Sequence, residues 1–493
     1  MAVKLILPTL ALSLTALYAQ QDCSAVVKLQ IAGLAITNTG HVASAGALPA
    51  HCRIDGEIDR RTGVAGKPYA IGFSLALPDQ WNGRFLFQGG GGLNGNVAAP
   101  VGAQAAGDIP ALARGFAVVT TDSGHRGAVF DGSFFADQQA SLNFFYQAIG
   151  RVTLVAKDLI AAFYGRPADH SYYAGCSTGG REAMIITQRY PTYFDGVVSG
   201  DPAIRTGYSN LNLANIEVTF DRAASGKASD LFSPADKTLI LNSLLDRCDA
   251  RDGLKDGMIF NSQACDFDPA AIVCKAGQSN GCLAPQKAAA LKAAFAGVRD
   301  HRGELIYPGF PYDPGIAEAG PRLPGLLSGP RIPVPVPVDP ATFDADRETA
   351  RIASDANARL GDATWTNLAT FSGHGGKLLF YHGLGDPWFS PLDTLAYYEK
   401  LTRDNGGAGQ VASWSRLFLV PGMGHCQGGS ATLDHFDMLT AIIDWVEKGA
   451  APDSVTTTGK AFPGRSRPLC AYPKYAQYTG SGDPNDARNF ACR

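Results

Sequence analysis

The sequence predicts an α/β protein: a mostly parallel central sheet with helices on its faces, interrupted by a large inserted block. Three observations predict it. Short apolar runs alternate with helix-like stretches up to about residue 203, and the same rhythm resumes at about residue 369. Between them the pattern breaks into a cysteine-bearing, proline-rich region. Finally, the turn Gly175-Cys176-Ser177-Thr178-Gly179 joins an apolar run to a helix pattern. At 493 residues the chain exceeds what one core usually serves, which agrees with a main unit of 20–203 plus 369–493 and an insertion over 204–368.

In chain order, Met1-Ala-Val-Lys4, an apolar run over 5–18 and a small-residue end near Ala19 predict a secretory signal peptide over 1–19. It is too short and too early for a membrane span. A secreted or periplasmic, soluble mature protein is the expectation. With 45% apolar and 18% charged residues and a net charge of -3, nothing favours nucleic acid or an anionic membrane as partner. Small-molecule chemistry is the default. The ten cysteines, an even count with no Cys-x-x-Cys pair, read as a disulfide framework in an exported protein rather than a metal-thiolate or redox site.

The stretch 54–77 is strand-like, Arg84-Phe-Leu-Phe-Gln88 is a short apolar run, and Phe116-Ala-Val-Val-Thr120 is a buried strand. A helix is predicted over 141–164, a strand over 171–174, a helix over 181–190, and a strand through Val197-Val198 into Ser199-Gly-Asp-Pro202. The insertion holds four of the ten cysteines, an acidic cluster and a helix over 284–298. Its Arg331-Ile-Pro-Val-Pro-Val-Pro-Val338 is extended but excluded by proline from a central strand. Strands return at Lys377-Leu-Leu-Phe-Tyr-His-Gly383 and Arg416-Leu-Phe-Leu-Val420, followed by a helix over 434–447.

Gly-x-Ser-x-Gly is common by chance in a chain with 57 glycines, and read alone it is an ordinary loop. The strand before it and the helix after it make it a nucleophile elbow, in which flanking small residues lift Ser177 above a sheet edge. Asp386 and His425 follow at the ends of the two returning strands, giving the chain order Ser, Asp, His of the α/β-hydrolase fold. A serine hydroxyl needs a base to take its proton, and the base needs a carboxylate to fix its tautomer. His382 and His125 compete for the base, though each alone reads as a hydrogen-bonded loop histidine; Asp201 and Asp122 are weaker candidates for the acid, Asp201 reading as a turn cap before Pro202.

Gly90, Gly92 and Gly95 satisfy Gly-x-Gly-x-x-Gly, but no helix follows, so a dinucleotide site is rejected and no organic cofactor is expected. The loop reads instead as one side of an oxyanion hole, with an amide of Gly91 or Gly92 opposite that of Thr178. In Cys248-Asp-Ala-Arg-Asp-Gly-Leu-Lys-Asp-Gly-Met-Ile259 the carboxylates of Asp249, Asp252 and Asp256 form either a solvated acidic turn or a loop for a hard cation. The spacing is not that of an EF-hand.

Together, Gly175-Cys176-Ser177-Thr178-Gly179-Gly180, Asp386 and Gly424-His425-Cys426 resemble the tannase and feruloyl esterase family, whose signature sets a cysteine before the nucleophile and another after the histidine. The resemblance covers nearly the whole mature chain. It implies a disulfide between Cys176 and Cys426, with the others pairing as Cys23 and Cys52, Cys248 and Cys265, Cys274 and Cys282, and Cys470 and Cys492. It also implies a structural calcium in a lid domain, held by Asp249, Asp252 and Asp256 and the carbonyls of Leu254 and Met258. The implied substrates are feruloyl, other hydroxycinnamoyl or galloyl esters, hydrolysed through an acyl-enzyme. A branch acting on mono(2-hydroxyethyl) terephthalate is the alternative, being similar around Asp386-Pro-Trp388-Phe389, where Trp388 and Phe389 are candidate pocket residues. The stretch 315–326 departs from that branch in having no tryptophan. A non-catalytic, calcium-dependent binding protein is the remote rival, and no triad member is missing to support it.

Overall fold

Nine strands form the central sheet of the computed structural model, which describes residues 23–224, 227–320, 323–329 and 341–493. They are β1 (Leu34–Val42), β2 (His51–Thr62), β3 (Pro68–Pro78), β4 (Arg84–Gln88), β5 (Ala117–Thr121), β6 (His170–Cys176), β7 (Gly196–Gly200), β8 (Lys377–Gly383) and β9 (Ser415–Val420). Their spatial order is β1-β2-β3-β5-β4-β6-β7-β8-β9. Pairing is antiparallel from β1 to β5 and parallel from β5 onward. The signal peptide over 1–19 and the extended reading of 331–338 lie outside the described residues.

The central strands are apolar on both sides because helices cover both faces. Side chains alternate along β6: Tyr173 packs with Ile149 and Met184 on one face, while Tyr172 and Ala174 pack with Ile442 and Trp445 on the other. The covering helices include α1 (Ala148–Tyr164), α2 (Thr178–Arg189), α7 (Pro391–Asp404) and α8 (Met438–Lys448). The insertion adds α3 (Thr206–Ala223), α4 (Pro234–Cys248), α5 (Pro285–Phe295) and α6 (Ala345–Ser354).

Three predicted elements differ from those observed. The stretch 54–77 read as strand-like holds parts of two strands, β2 and β3, since the chain reverses at 63–67, where the Gly63 amide donates to the Lys67 carbonyl at 2.8 Å. The helix expected over 141–164 contains a π turn at Asn143–Gln147. Such a wide turn loosens the carbonyls of the helix, and the buried Arg181 guanidinium donates to those of Phe145 (3.0 Å) and Phe144 (3.3 Å). The helix expected from residue 434 starts at Met438, because His435–Phe436 pair as a strand with Thr458 and Thr457. Asp437 then caps it, accepting from the Thr440 amide at 2.8 Å.

β7 and β8 are neighbours in the sheet, yet residues 201–376 lie between them in sequence. That segment packs a cluster of its own, including Phe220, Ile240, Leu244, Leu291 and Phe310. It is tied back to the loop after β9 and to α7: the Asp313 carboxylate accepts from the Gly422 amide at 3.1 Å, and Arg205 forms an ion pair with Asp393. The five disulfides pair as the family resemblance implied.

Candidate active site

β6 ends at Cys176 and α2 begins at Thr178, leaving Ser177 alone on the corner with φ 64° and ψ -121°. A non-glycine residue in such a conformation costs on the order of 1–3 kcal/mol and persists only where its surroundings over-determine it. Here the Ser177 amide donates to the Gly200 carbonyl (3.0 Å), and its own carbonyl accepts from Arg181 (3.0 Å) and Ala203 (3.2 Å). The flanking glycines are required by space. A Cβ on Gly175 would lie 2.5 Å from the Gly179 carbonyl oxygen, and one on Gly179 would lie 2.7 Å from that of Gly90.

Asp386 follows β8 and His425 follows β9, so adjacent strand ends bring them together. The His425 Nδ1–H donates to Asp386 Oδ2 at 2.7 Å. Nε2, on the other side of the ring, is buried without a protein partner among the described residues. His425 lines a cavity of about 890 Å³ whose wall also includes Ser177. Asp386 is fully buried, and its Oδ1 accepts from the amides of Trp388 (2.8 Å) and Phe389 (3.1 Å). Burial pushes its pKa up, but the charges and hydrogen bonds of His425 and His382 outweigh this and hold it below the usual carboxylate range. Burial likewise pushes His425 down, and the Asp386 carboxylate more than compensates, leaving the imidazole above its ordinary 6.5. The pair therefore favours a charged imidazolium, the state a base reaches after taking a proton.

The Cys176–Cys426 bridge, with Cα atoms 5.9 Å apart across 250 residues of sequence, ties the residue before Ser177 to the residue after His425. Thr178, Gly91 and Gly92 line the same cavity, as do Trp388 and Phe389, whose rings lie 4.8 and 5.3 Å from that of His425. Sequence reasoning missed Phe130, Phe135, Phe144, Phe145 and Arg351, which complete the wall from distant segments. Only the Phe134-Phe135 and Phe144-Phe145 doublets gave any signal in the sequence.

The competitors resolve by position. His382 is hydrogen-bonded as expected but lies buried on β8 rather than in a loop, with Nδ1 2.8 Å from Thr394 Oγ1 and Nε2 3.1 Å from the Phe389 carbonyl. Asp201 is no simple turn cap: it is fully buried 3.7 Å from His382, accepts from the Gly383 amide, and is pushed up to about 6 by burial. His125 is not a hydrogen-bonded loop histidine. It stacks on Phe134 at 3.6 Å with both ring nitrogens unpartnered among the described residues, and burial lowers its pKa to about 4. Asp122 accepts from the Gly72 and Gly124 amides, each at 2.9 Å, and serves a turn.

The acidic loop lies apart from the cavity wall. Asp249 and Asp252 are buried; Asp249 accepts from the Asp256 (3.1 Å) and Gly257 (2.8 Å) amides, and Asp252 from those of Leu254 (3.2 Å) and Phe260 (3.0 Å). Asp256 is paired with Arg467. These carboxylates and the Leu254 and Met258 carbonyls of the same loop are all hard oxygen donors, the ligand type that calcium takes.

A mostly parallel sheet covered by helices, with a serine on a strand-to-helix corner and a histidine and an aspartate on the loops after later strands, places the chain among the α/β-hydrolases. Within that class it belongs to the tannase and feruloyl esterase family, whose family model matches residues 52–325 and 334–493. The chain is 39% identical to the mono(2-hydroxyethyl) terephthalate hydrolase of Piscinibacter sakaiensis, covering 91% of this chain and 86% of that one. It is 32% identical to a probable feruloyl esterase B-2 of Aspergillus flavus, over 78% of this chain and 76% of the other. The crystal structure of feruloyl esterase B from Aspergillus oryzae superposes with a TM-score of 0.80 at 27% identity, over 96% of this chain and 99% of that one. The protein is a carboxylic ester hydrolase acting on aromatic esters.

Proposed function

We propose that the protein is an exported serine esterase that cleaves feruloyl, other hydroxycinnamoyl or galloyl esters, with Ser177 as nucleophile, His425 as base and Asp386 as its partner. The observation that carries this is the buried His425–Asp386 bond of 2.7 Å, which holds the imidazole on the wall of the cavity that Ser177 also lines. Ser177 attacks the ester carbonyl as Nε2 takes its proton. The Thr178 amide, in the first turn of α2 where helix amides have no internal acceptor, and an amide of Gly91 or Gly92 hold the oxyanion. One such donor contributes roughly 3 kcal/mol to the transition state. His425 then protonates the leaving alcohol, and water releases the acid by the reverse route. Trp388 and Phe389 face the aromatic acyl ring. Five disulfides support an oxidising location outside the cytoplasm.

A second reading, hydrolysis of mono(2-hydroxyethyl) terephthalate, is favoured by the substrate in the name of the 39%-identical relative. Initial rates on methyl ferulate, methyl gallate, mono(2-hydroxyethyl) terephthalate and ethyl butyrate separate the two. The expected result is a kcat/KM for one of the first two at least ~100-fold above butyrate, a ratio within reach of pocket contacts. A preference for the terephthalate ester selects the second reading, and equal rates on all four overturn both.

Residues 204–368 act as a lid domain in this reading, and Asp249, Asp252 and Asp256 with the Leu254 and Met258 carbonyls hold a structural calcium. When bound, calcium would supply positive charge beside the buried Asp249 and Asp252, while Asp256 is already paired with Arg467. Chelation followed by a melting curve is expected to lower the midpoint by several degrees, with recovery on adding excess calcium, because a ligand bound only to the native state stabilises by about 3 kcal/mol at a hundred times its Kd. An unchanged midpoint after verified metal removal rejects the site.

A further inference from the structure

Glu182 sits on α2, one turn beyond Thr178, fully buried, and the mechanism above makes no use of it. Four donors converge on its carboxylate. Oε2 accepts from the Gly90 amide at 3.0 Å and the Tyr173 hydroxyl at 2.8 Å. Oε1 accepts from the Ser123 hydroxyl at 3.1 Å and the Asn94 side-chain amide at 3.3 Å. Hydrogen bonds to a carboxylate are about twice as strong as neutral ones, and burial strengthens them further.

These bonds bracket the glycine loop. Gly90 enters it and Asn94 leaves it, both tethered to Glu182. Between them the Gly90 carbonyl accepts from the Gly179 amide at 3.1 Å, and the Gly91 carbonyl accepts from the Asn94 amide at 3.0 Å. In a trans peptide the N–H points opposite to the preceding C=O. Fixing the Gly90 and Gly91 carbonyls therefore fixes where the Gly91 and Gly92 amides point. The Thr178 hydroxyl donates to the Gly92 carbonyl and closes the same loop. Asn94 and Ser123 both hold left-handed backbone, φ 49° and 61°, a strain that survives only under such tethering.

We propose that Glu182 is a positioning residue for the oxyanion-binding loop: its carboxylate clamps Gly90 and Asn94 to the nucleophile helix and so aims the Gly91 and Gly92 amides into the cavity beside Ser177. The proposal rests on the reading of Ser177 and the glycine loop given above. A transition-state role differs from a purely structural one in what it moves. Loosened amides weaken binding of the oxyanion while leaving the uncharged ground state alone.

Glu182→Gln keeps the shape but turns one acceptor into an NH₂ facing donors. It is expected to lower kcat about 10- to 100-fold, a fraction of what outright loss of a donor costs, with KM within about twofold. Affinity for a trifluoromethyl ketone analogue of the acyl group, which forms a tetrahedral oxyanion on Ser177, falls by the same factor, while affinity for the product acid does not change. If the variant fails to accumulate, Tyr173→Phe is measured instead. It removes one donor from Oε2 and is expected to lower kcat about threefold to tenfold at unchanged KM. A kcat within twofold of the parent in the variant that folds, or equal losses for the ketone and the acid, overturns the proposal. Failure of the parent reading looks different: Ser177→Ala would then stay active whatever Glu182 does.

Discussion

Replacing Ser177 with alanine is expected to lower kcat by about 10⁴- to 10⁶-fold, leaving only what oxyanion donors and substrate binding supply without a nucleophile. The size of the loss follows from how the site is built. His425 is held by a buried carboxylate, lines the same cavity as Ser177, and has an Nε2 without a protein partner among the described residues. Without the hydroxyl that base has only water to activate. Folding is spared because the corner is held by backbone bonds, Ser177 to Gly200 and Arg181 to Ser177, which alanine keeps. Alanine tolerates φ 64° about as poorly as serine, so the strain is unchanged. The melting temperature is expected to stay within about 2 °C, as for substitutions that remove no packing or buried bond. Adding His425→Ala to Ser177→Ala is expected to cost almost nothing more, since the two act as a unit. More than one per cent of parental activity in the single variant, after exclusion of contaminating esterase, removes Ser177 from the mechanism.

Much of this site was legible in the sequence because its parts sit at strand ends, where a short apolar run marks the strand and glycines mark the turn. Ser177, Asp386 and His425 are each announced that way, and β4 and β8 match their predicted ranges to the residue. The disulfide pairings came from family resemblance, since spacing alone leaves ten cysteines undetermined. What escaped is what depends on tertiary contact. Arg181 is buried and bonded to carbonyls of a π turn that no periodicity signals. Glu182 beside it carries no local signal either, because its four donors come from β6 and two separate loops. The cavity wall was unreadable for the same reason: Phe130, Phe144 and Arg351 meet only once the sheet and the insertion are both in place. Asp201 read as a turn cap because local sequence shows Pro202 and hides His382, which arrives from β8.

The Cys176–Cys426 bridge makes the second large prediction, and two magnitudes decide what its loss does. Cross-linking residues 250 apart constrains the unfolded chain by about 5 kcal/mol in the loop-entropy account. A chain of this length has an unfolding entropy of roughly 1 kcal/mol/K at its midpoint, so Cys176→Ser with Cys426→Ser is expected to lower the melting temperature by only about 5 °C. At assay temperature the protein remains folded. Activity is far more sensitive, because the bridge joins the residue before Ser177 to the residue after His425, and Cys426 itself holds φ 67°. With the tether cut, the His425 loop relaxes toward ordinary backbone, and a displacement near 1 Å at a reacting group costs about 100-fold. The double variant is therefore expected to lose kcat by about two orders of magnitude in a range where circular dichroism shows it native. Parental turnover with the same 5 °C loss would make the bridge a staple and nothing more. A lost kcat at unchanged KM puts its effect on the alignment of serine and histidine, since substrate still binds in a cavity whose other walls the mutation leaves alone.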